Sequence, residues 1–234
     1  MSATAGVDAA AESALALIQD GARVGLGTGR AAAAFIKRLG ARARGGLSVT
    51  CVATSTASAA LARAEGLRLV ELDEEHLLDV TVDGADEVAP TLNLIKGRGG
   101  AFVRERIVAS ASRRQVIVVG PEKLVTALGE TGPLPVEIIP VALGPCMRHL
   151  KELGVRPVLR PGEIGAQPFV SDNGNLIVDV ALASTLLDAA AARAIDAELR
   201  AIPGVVDTGL FIATAERVLV GHPDGHVDTR WPQH

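Results

Sequence analysis

Apolar and polar positions along the first half of the chain fall into two repeating textures. Short, mostly apolar and β-branched runs at 23–26, 48–53, 67–72, 78–82 and 115–119 read as strands. Between them lie alanine-rich stretches with helical spacing, at 9–20, from Arg30 to Leu39, from the Thr54–Ser58 turn to Ala64, and at 101–110. Strands with little polar alternation are buried on both faces, and their regular exchange with helices predicts a doubly wound, mainly parallel α/β sheet.

After Gly129 the texture changes. Gly132-Pro133-Leu134-Pro135 marks a boundary, followed by a run at 136–141, a helix at 145–153, runs at 156–160 and 176–180 around a turn-like Ser171–Asn175, and a helix at 188–202. Strand, helix, strand, strand, helix is the order of a small α+β domain. The β-rich stretches 205–212 and 217–220 are expected to return to the main sheet. The chain then divides into a main domain, 1–131 with 208–234, and a smaller one, 132–207.

Composition narrows the function classes. Of 234 residues, 48% are hydrophobic and 21% charged, enough apolar material for a large core and too little charge for a disordered chain. Aromatics are only 2%, and the net charge is −4 with no long basic block. Base-stacking platforms and a basic patch are both missing, which argues against a nucleic-acid partner. No apolar run is long enough to span a membrane. Cys51 and Cys146 stand far apart without a CxxC or a neighbouring histidine, so no structural zinc is expected. A reducing, cytoplasmic setting fits. The five histidines, His234 among them, show no metal spacing.

Most of the candidate chemistry lies at 79–110. The 78–82 run ends in two carboxylates, Asp83 and Asp86, where ligands of α/β sheets gather. Lys96, a turn with Gly97, Gly99 and Gly100, and a helix carrying Glu105 follow. Each has a plainer reading: the aspartates as turn formers and caps, Lys96 as a solvated cation, and Glu105, between Arg104 and Arg106, as part of a surface salt bridge. Phe102, Val103, Ile107 and Val108 define that helix's apolar face, with Glu105 about half a turn from the Phe102 and Val103 side. Gly25-Leu26-Gly27-Thr28-Gly29-Arg30 lacks the third glycine of a dinucleotide fingerprint, and no acid ends the next strand. It reads as a structural turn, or as a helix N-terminus that receives a phosphate with Thr28 and Arg30 assisting. The Thr54–Ser58 hydroxyls are open to the same two readings, cap or anion site.

Together these segments resemble the A-type ribose-5-phosphate isomerases, a cofactor-free family that interconverts ribose 5-phosphate and ribulose 5-phosphate. The resemblance rests on GLGTG at 25–29, TVDGADEV at 81–88, LNLIKGRGGA at 92–101, RER at 104–106 and EKLV at 122–125. It continues in LPVEIIP at 134–140, DNGNLIVDV at 172–180 and IPGVVDTGLF at 202–211. It implies a Rossmann-like, mainly parallel main domain with a smaller α+β, ferredoxin-like domain. A homodimer or homotetramer, a sugar phosphate substrate and a place in the pentose phosphate pathway are implied too. By matched position Glu105 is the proton-transferring base. The substrate-binding segments fall on Thr28, Gly29, Arg30 and Ala31; on Asp83, Gly84, Ala85 and Asp86; on Lys96, Gly97, Arg98 and Gly99; and on Lys123.

An aldose–ketose isomerase needs one carboxylate to move a proton between C2 and C1, and no redox cofactor or metal. Lys96 with the amides of 97–100 would stabilise the enediolate. Asp83 and Asp86 would hold hydroxyls and shuttle protons during ring opening, and the turns at Thr28 and 54–58 would hold the phosphate. Three positions depart from the family pattern: Arg30-Ala31 replaces a common Ser-Thr, Arg98 replaces a common glycine, and the first twenty residues carry no lysine. A non-catalytic sugar-phosphate sensor would need a DNA-binding segment that the chain lacks. A related sugar-phosphate isomerase or a CoA transferase would carry other motifs around its acids.

Overall fold

The computed structural model describes residues 3–162, 167–182 and 189–232. The expected helix start at Asp188, and His234, lie outside them. Two compact units divide the chain: Met1–Ala85, Arg104–Leu124 and Ala213–His234 in one, Asp86–Val103 and Val125–Ile212 in the other. Residues 86–103, 125–131 and 208–212, all expected in the main domain, therefore group with the second unit.

The first unit is built on a seven-stranded sheet in the order Val227–Arg230, Arg217–Gly221, Gln115–Val119, Val80–Asp83, Ala22–Leu26, Val49–Ala53, Arg68–Leu69. Every neighbouring pair is parallel except the outermost, where Val227–Arg230 runs antiparallel to Arg217–Gly221. Alternation decides which face each side chain covers. Val24, Leu26, Val80, Val82, Val116 and Val118 are buried in one cluster with Phe35, Ile36 and Leu39. The last three lie on the Arg30–Arg44 helix, whose buried residues Ala32, Phe35, Ile36, Leu39 and Gly40 recur at helical spacing. Val52, Leu78 and Val108 form a smaller cluster.

The first helix runs from Ala3 to Leu15, several residues earlier than the alanine pattern predicts. Ala10, Ala11, Ala14 and Leu15 are buried on it, as is Gly6, and tighter turn bonds from Leu17 to Ala14 and from Ile18 to Leu15 end it. The run at 67–72 is a two-residue edge strand, Arg68–Leu69. Among the described residues no helix is long and apolar enough to cross a membrane.

The second unit carries a four-stranded antiparallel sheet in the order Val205–Thr208, Leu134–Ile138, Leu176–Ala181, Arg156–Leu159. Two helices, Leu143–Glu152 and Ala189–Arg200, connect its strands, which gives the βαββαβ order of a ferredoxin-like domain. Val205–Thr208 thus pairs with Leu134–Ile138, and Leu210–Phe211 pairs with Leu94–Ile95 in a three-stranded sheet completed by Glu87–Val88. Of the two β-rich stretches expected to rejoin the main sheet, only the Arg217–Gly221 strand does so.

Glu137 lies on the sheet face opposite the core residues Leu134, Val136 and Ile138, and is fully buried. One of its oxygens accepts from Ser171 Oγ (3.0 Å), Asn173 Nδ2 (3.0 Å) and Asn175 Nδ2 (2.8 Å). This carboxylate holds the Ser171–Asn175 turn to the sheet. Glu137→Ala strands those donors and is expected to cost about 3 kcal/mol. A urea midpoint unchanged from that of the native chain would refute the anchoring role.

Candidate active site

Strand order in the first unit reverses between Ala22–Leu26 and Val80–Asp83, because the chain winds outward from them in opposite directions. Beyond the carboxyl ends of two such strands the flanking loops diverge and leave a crevice. The Gly27–Arg30 turn leaves the first strand there, and Asp83 ends the second.

Close approach of those two strands explains the glycines of the first motif. A Cβ on Gly25 would fall on the Thr81 hydroxyl, and one on Gly27 would fall on the Asp83 carboxylate. Only glycine lets both side chains pass. Asp83, fully buried, uses Oδ1 to accept from the Thr28 N–H (3.1 Å) and from its own neighbour Gly84 (2.7 Å). Ala31 lies against Gly84, where an added Cβ would sit 3.5 Å from the Ala31 methyl. The structure thus brings the 28–31 turn and the 83–85 strand end together.

The Arg30–Arg44 helix begins at Gly29 with no side-chain cap and no acid in its first turn. Its leading N–H groups have no intrahelical acceptor, which suits an anion. The hydroxyls behave differently. Thr28 Oγ1 lies 2.8 Å from Thr54 Oγ1, 2.8 Å from Ser55 Oγ and 3.1 Å from Ser58 Oγ. Ser58 donates on to the Gly27 carbonyl (2.6 Å), Thr54 to the Leu26 carbonyl (2.9 Å), and Ser55 caps Ser58 N–H (3.0 Å). With one proton per hydroxyl the network is spent on binding the 27–28 turn to the Thr56–Ala64 helix. The Thr54, Ser55 and Ser58 hydroxyls therefore act as cap and brace. Lys123, half-buried, closes a short 3₁₀ turn just past the Gln115–Val119 strand, the neighbour of Val80–Asp83.

Glu105 sits in the first turn of the Phe102–Ser110 helix and is 5% exposed. It shares a face with Phe102 and Val108, three residues to either side and both buried, so Glu105 does not stand on the surface. Ile107, expected in the core, is 50% exposed instead. The phase of the helix gives Glu105 the inner position that the sequence reading assigned to Ile107.

In the second unit, Asp86 and Lys96–Gly100 form one hydrogen-bonded loop. The Asp86 N–H donates to the Ile95 carbonyl (2.8 Å), and Asp86 Oδ2 accepts from the Arg98 N–H (2.9 Å). Lys96 is 3% exposed, far from the solvated cation of the plainer reading, with Nζ 5.5 Å from the centre of the Phe211 ring. Its N–H is held by the Gly209 carbonyl (2.9 Å). Gly97 has φ +108, and a Cβ there would lie 2.6 Å from the Phe102 ring. The Arg98 side chain turns onto the Thr131 hydroxyl (2.8 Å) and the buried Glu87 carboxylate (3.4 Å). Glu87 also accepts from the N–H groups of Gly129 (2.6 Å) and Thr131 (2.7 Å). The sequence reading missed Glu87. Its signal was an acid directly before the apolar pair Val88-Ala89.

Both cysteines are free and buried, and burial pushes the Cys51 thiol up to about 12, which makes it inert. Among the described residues no group of three or more His, Cys, Asp or Glu is placed to hold a metal ion.

Known proteins resemble this chain over most of its length. Residues 50–225 match the family model of ribose 5-phosphate isomerase A (phosphoriboisomerase A). A ribose-5-phosphate isomerase A of Thermomicrobium roseum is 47% identical over 217 residues, covering 92% of this chain and 90% of its own. The solved ribose 5-phosphate isomerase A of Methanocaldococcus jannaschii superposes with a TM-score of 0.89 at 41% identity, covering 97% of this chain and 98% of its own. A D-ribose-5-phosphate isomerase in complex with phospho-erythronic acid superposes with a TM-score of 0.92 at 37% identity, covering 99% and 100%. By sequence and by superposition, the chain belongs to the ribose 5-phosphate isomerase A family.

Proposed function

We propose that the protein interconverts D-ribose 5-phosphate and D-ribulose 5-phosphate by moving a proton between C2 and C1, with Glu105 as acceptor and donor. The observation that carries this reading is the burial of Glu105 in the first helical turn after the Lys96–Gly100 loop. A carboxylate is spent inside an apolar stripe only where it has work to do or partners to hold it.

The remaining roles follow from charge and donor type. As C2 loses its proton, negative charge grows on the carbonyl oxygen at C1; the Lys96 ammonium and the N–H groups of Gly97 and Gly99 stabilise it. Asp83 and Asp86 accept hydrogen bonds from sugar hydroxyls and carry protons during ring opening. The first turn of the Arg30–Arg44 helix, with Arg30 and Lys123, receives the phosphate, whose binding energy is remote from the reacting carbons. Phospho-erythronic acid, the ligand of the related isomerase, fits this chemistry. Its planar anionic carboxylate carries charge much as an enediolate does.

The test is conversion of ribose 5-phosphate by purified protein in D₂O containing EDTA and no nucleotide. Ribulose 5-phosphate carrying solvent deuterium at C1 in part of the product is expected, since the base can exchange the proton taken from C2 with solvent before delivering it to C1. Absence of turnover in that buffer would end the reading.

A further inference from the structure

The Lys96–Gly100 loop is held by a pair of residues to which no role has yet been given. Arg160 spans the Asp179 carboxylate with two parallel bonds, Nε to Oδ2 at 2.9 Å and Nη2 to Oδ1 at 2.5 Å. Its remaining nitrogen, Nη1, donates to the Gly97 carbonyl at 2.9 Å and to the Arg98 carbonyl at 3.1 Å. The side chain is 11% exposed, and its guanidinium carbon lies 5.7 Å from the centre of the Phe169 ring. Phe169 in turn packs on Gly100, where a Cβ would come within 2.5 Å of the ring.

We infer that Arg160, aligned by Asp179, is a positioning residue for the isomerisation: it fixes the two peptide planes of residues 97–99 so that the Arg98 N–H holds Asp86 and the Gly99 N–H faces the developing oxyanion. The reasoning is geometric. None of the described peptide bonds is cis, so each N–H points opposite to the carbonyl of its own peptide unit. Turning the carbonyls of Gly97 and Arg98 to Arg160 therefore turns the N–H groups of Arg98 and Gly99 away from it. The Arg98 N–H then meets Asp86 Oδ2, one of the proposed sugar-binding carboxylates. The Gly99 N–H is presented on the same side. Loops rich in glycine do not hold two peptide planes unaided, because glycine leaves φ and ψ unrestrained. A planar, five-donor fork can grip a carboxylate and two carbonyls at once, whereas an ammonium is a point charge without that geometry.

This inference rests on the isomerase reading, and the experiment separates the two. Arg160→Met, Arg160→Lys and Asp179→Asn are assayed for kcat and KM on ribose 5-phosphate beside the native chain, with melting curves for each. An inert native chain would sink the isomerase reading itself. With an active native chain, Arg160→Met is expected to lower kcat about ten- to a hundredfold, below the ~10²–10³ lost on removing an oxyanion donor outright. KM should stay within about threefold, because the phosphate-binding turn is untouched and Asp86 keeps its own N–H bond to the Ile95 carbonyl. Arg160→Lys should not recover the loss, and Asp179→Asn should give a smaller loss of the same kind. Inhibition by 4-phospho-D-erythronate should weaken in proportion to the fall in kcat, which a merely structural role would not produce. Native kcat in Arg160→Met, or a loss shared equally between kcat and KM, overturns the inference. If Arg160→Met fails to fold, Asp179→Asn decides: native kcat and native inhibition there overturn it.

Discussion

Glu105→Gln is expected to lower kcat by about a thousandfold or more while leaving KM within about threefold, the pattern of a lost general base. The substitution keeps shape and volume, so the inner face shared with Phe102 and Val108 stays packed and the melting temperature should move little. Solvent deuterium should no longer enter C1 of the product, nor C2 of recovered substrate, because no group remains to exchange it. Glu105→Asp keeps the chemistry and withdraws the carboxyl by about one methylene. Misplacement by roughly 1 Å costs on the order of a hundredfold, so this variant should fall between the native chain and Glu105→Gln. Near-native kcat in Glu105→Gln would remove Glu105 from the mechanism. Loss of activity together with loss of a cooperative melt would show a structural carboxylate instead.

Glu105 also shows where the sequence was legible and where it was not. Its burial follows from three-residue spacing: Phe102, Glu105 and Val108 lie along one face, and an acid within an apolar stripe breaks the local pattern in the way expected of a functional group. Reading the stripe instead through Ile107, which is half exposed, hid that mark. Strand-level patterns fared better. The runs at 23–26, 48–53, 78–82 and 115–119 all became strands, because β-branched runs buried on both faces have few alternatives. The two-residue pairings Glu87–Val88, Leu94–Ile95 and Leu210–Phe211 left no periodic trace, since two residues cannot establish a period of two. Nor could pattern say that Val205–Thr208 pairs with Leu134–Ile138; that choice is made by partners some seventy residues away. Arg98 was flagged by family pattern alone. The structure gives its side chain a local task, on Thr131 and Glu87, while its backbone N–H serves Asp86. A side chain at that position is thereby compatible with the loop, because it leaves on the side of residues 129–132.

Lys96→Met is expected to lower kcat about 10²–10³-fold, with a signature opposite to that of Glu105→Gln in one respect. Methionine is unbranched and of similar length, so its end can reach the Phe211 ring that the ammonium faces, and the Lys96 N–H bond to the Gly209 carbonyl is independent of the side chain. What disappears is a nearly buried positive charge, at a position only 3% exposed, where water cannot replace it. Arginine should not restore activity, since its broader planar head does not fit a site shaped around an ammonium. The distinguishing readout is binding of 4-phospho-D-erythronate. Glu105→Gln removes a negative neighbour and should keep or tighten the planar acid, whereas Lys96→Met removes its counter-charge and should weaken it in step with kcat. If both variants bound the acid as the native chain does, Lys96 would have no part in stabilising the intermediate, and its charge would belong to folding alone. If Lys96→Met lost the acid but kept kcat, the lysine would bind ground-state anions without lowering the barrier. Only joint loss, at unchanged stability, fits a lysine that acts on the charge formed as C2 gives up its proton.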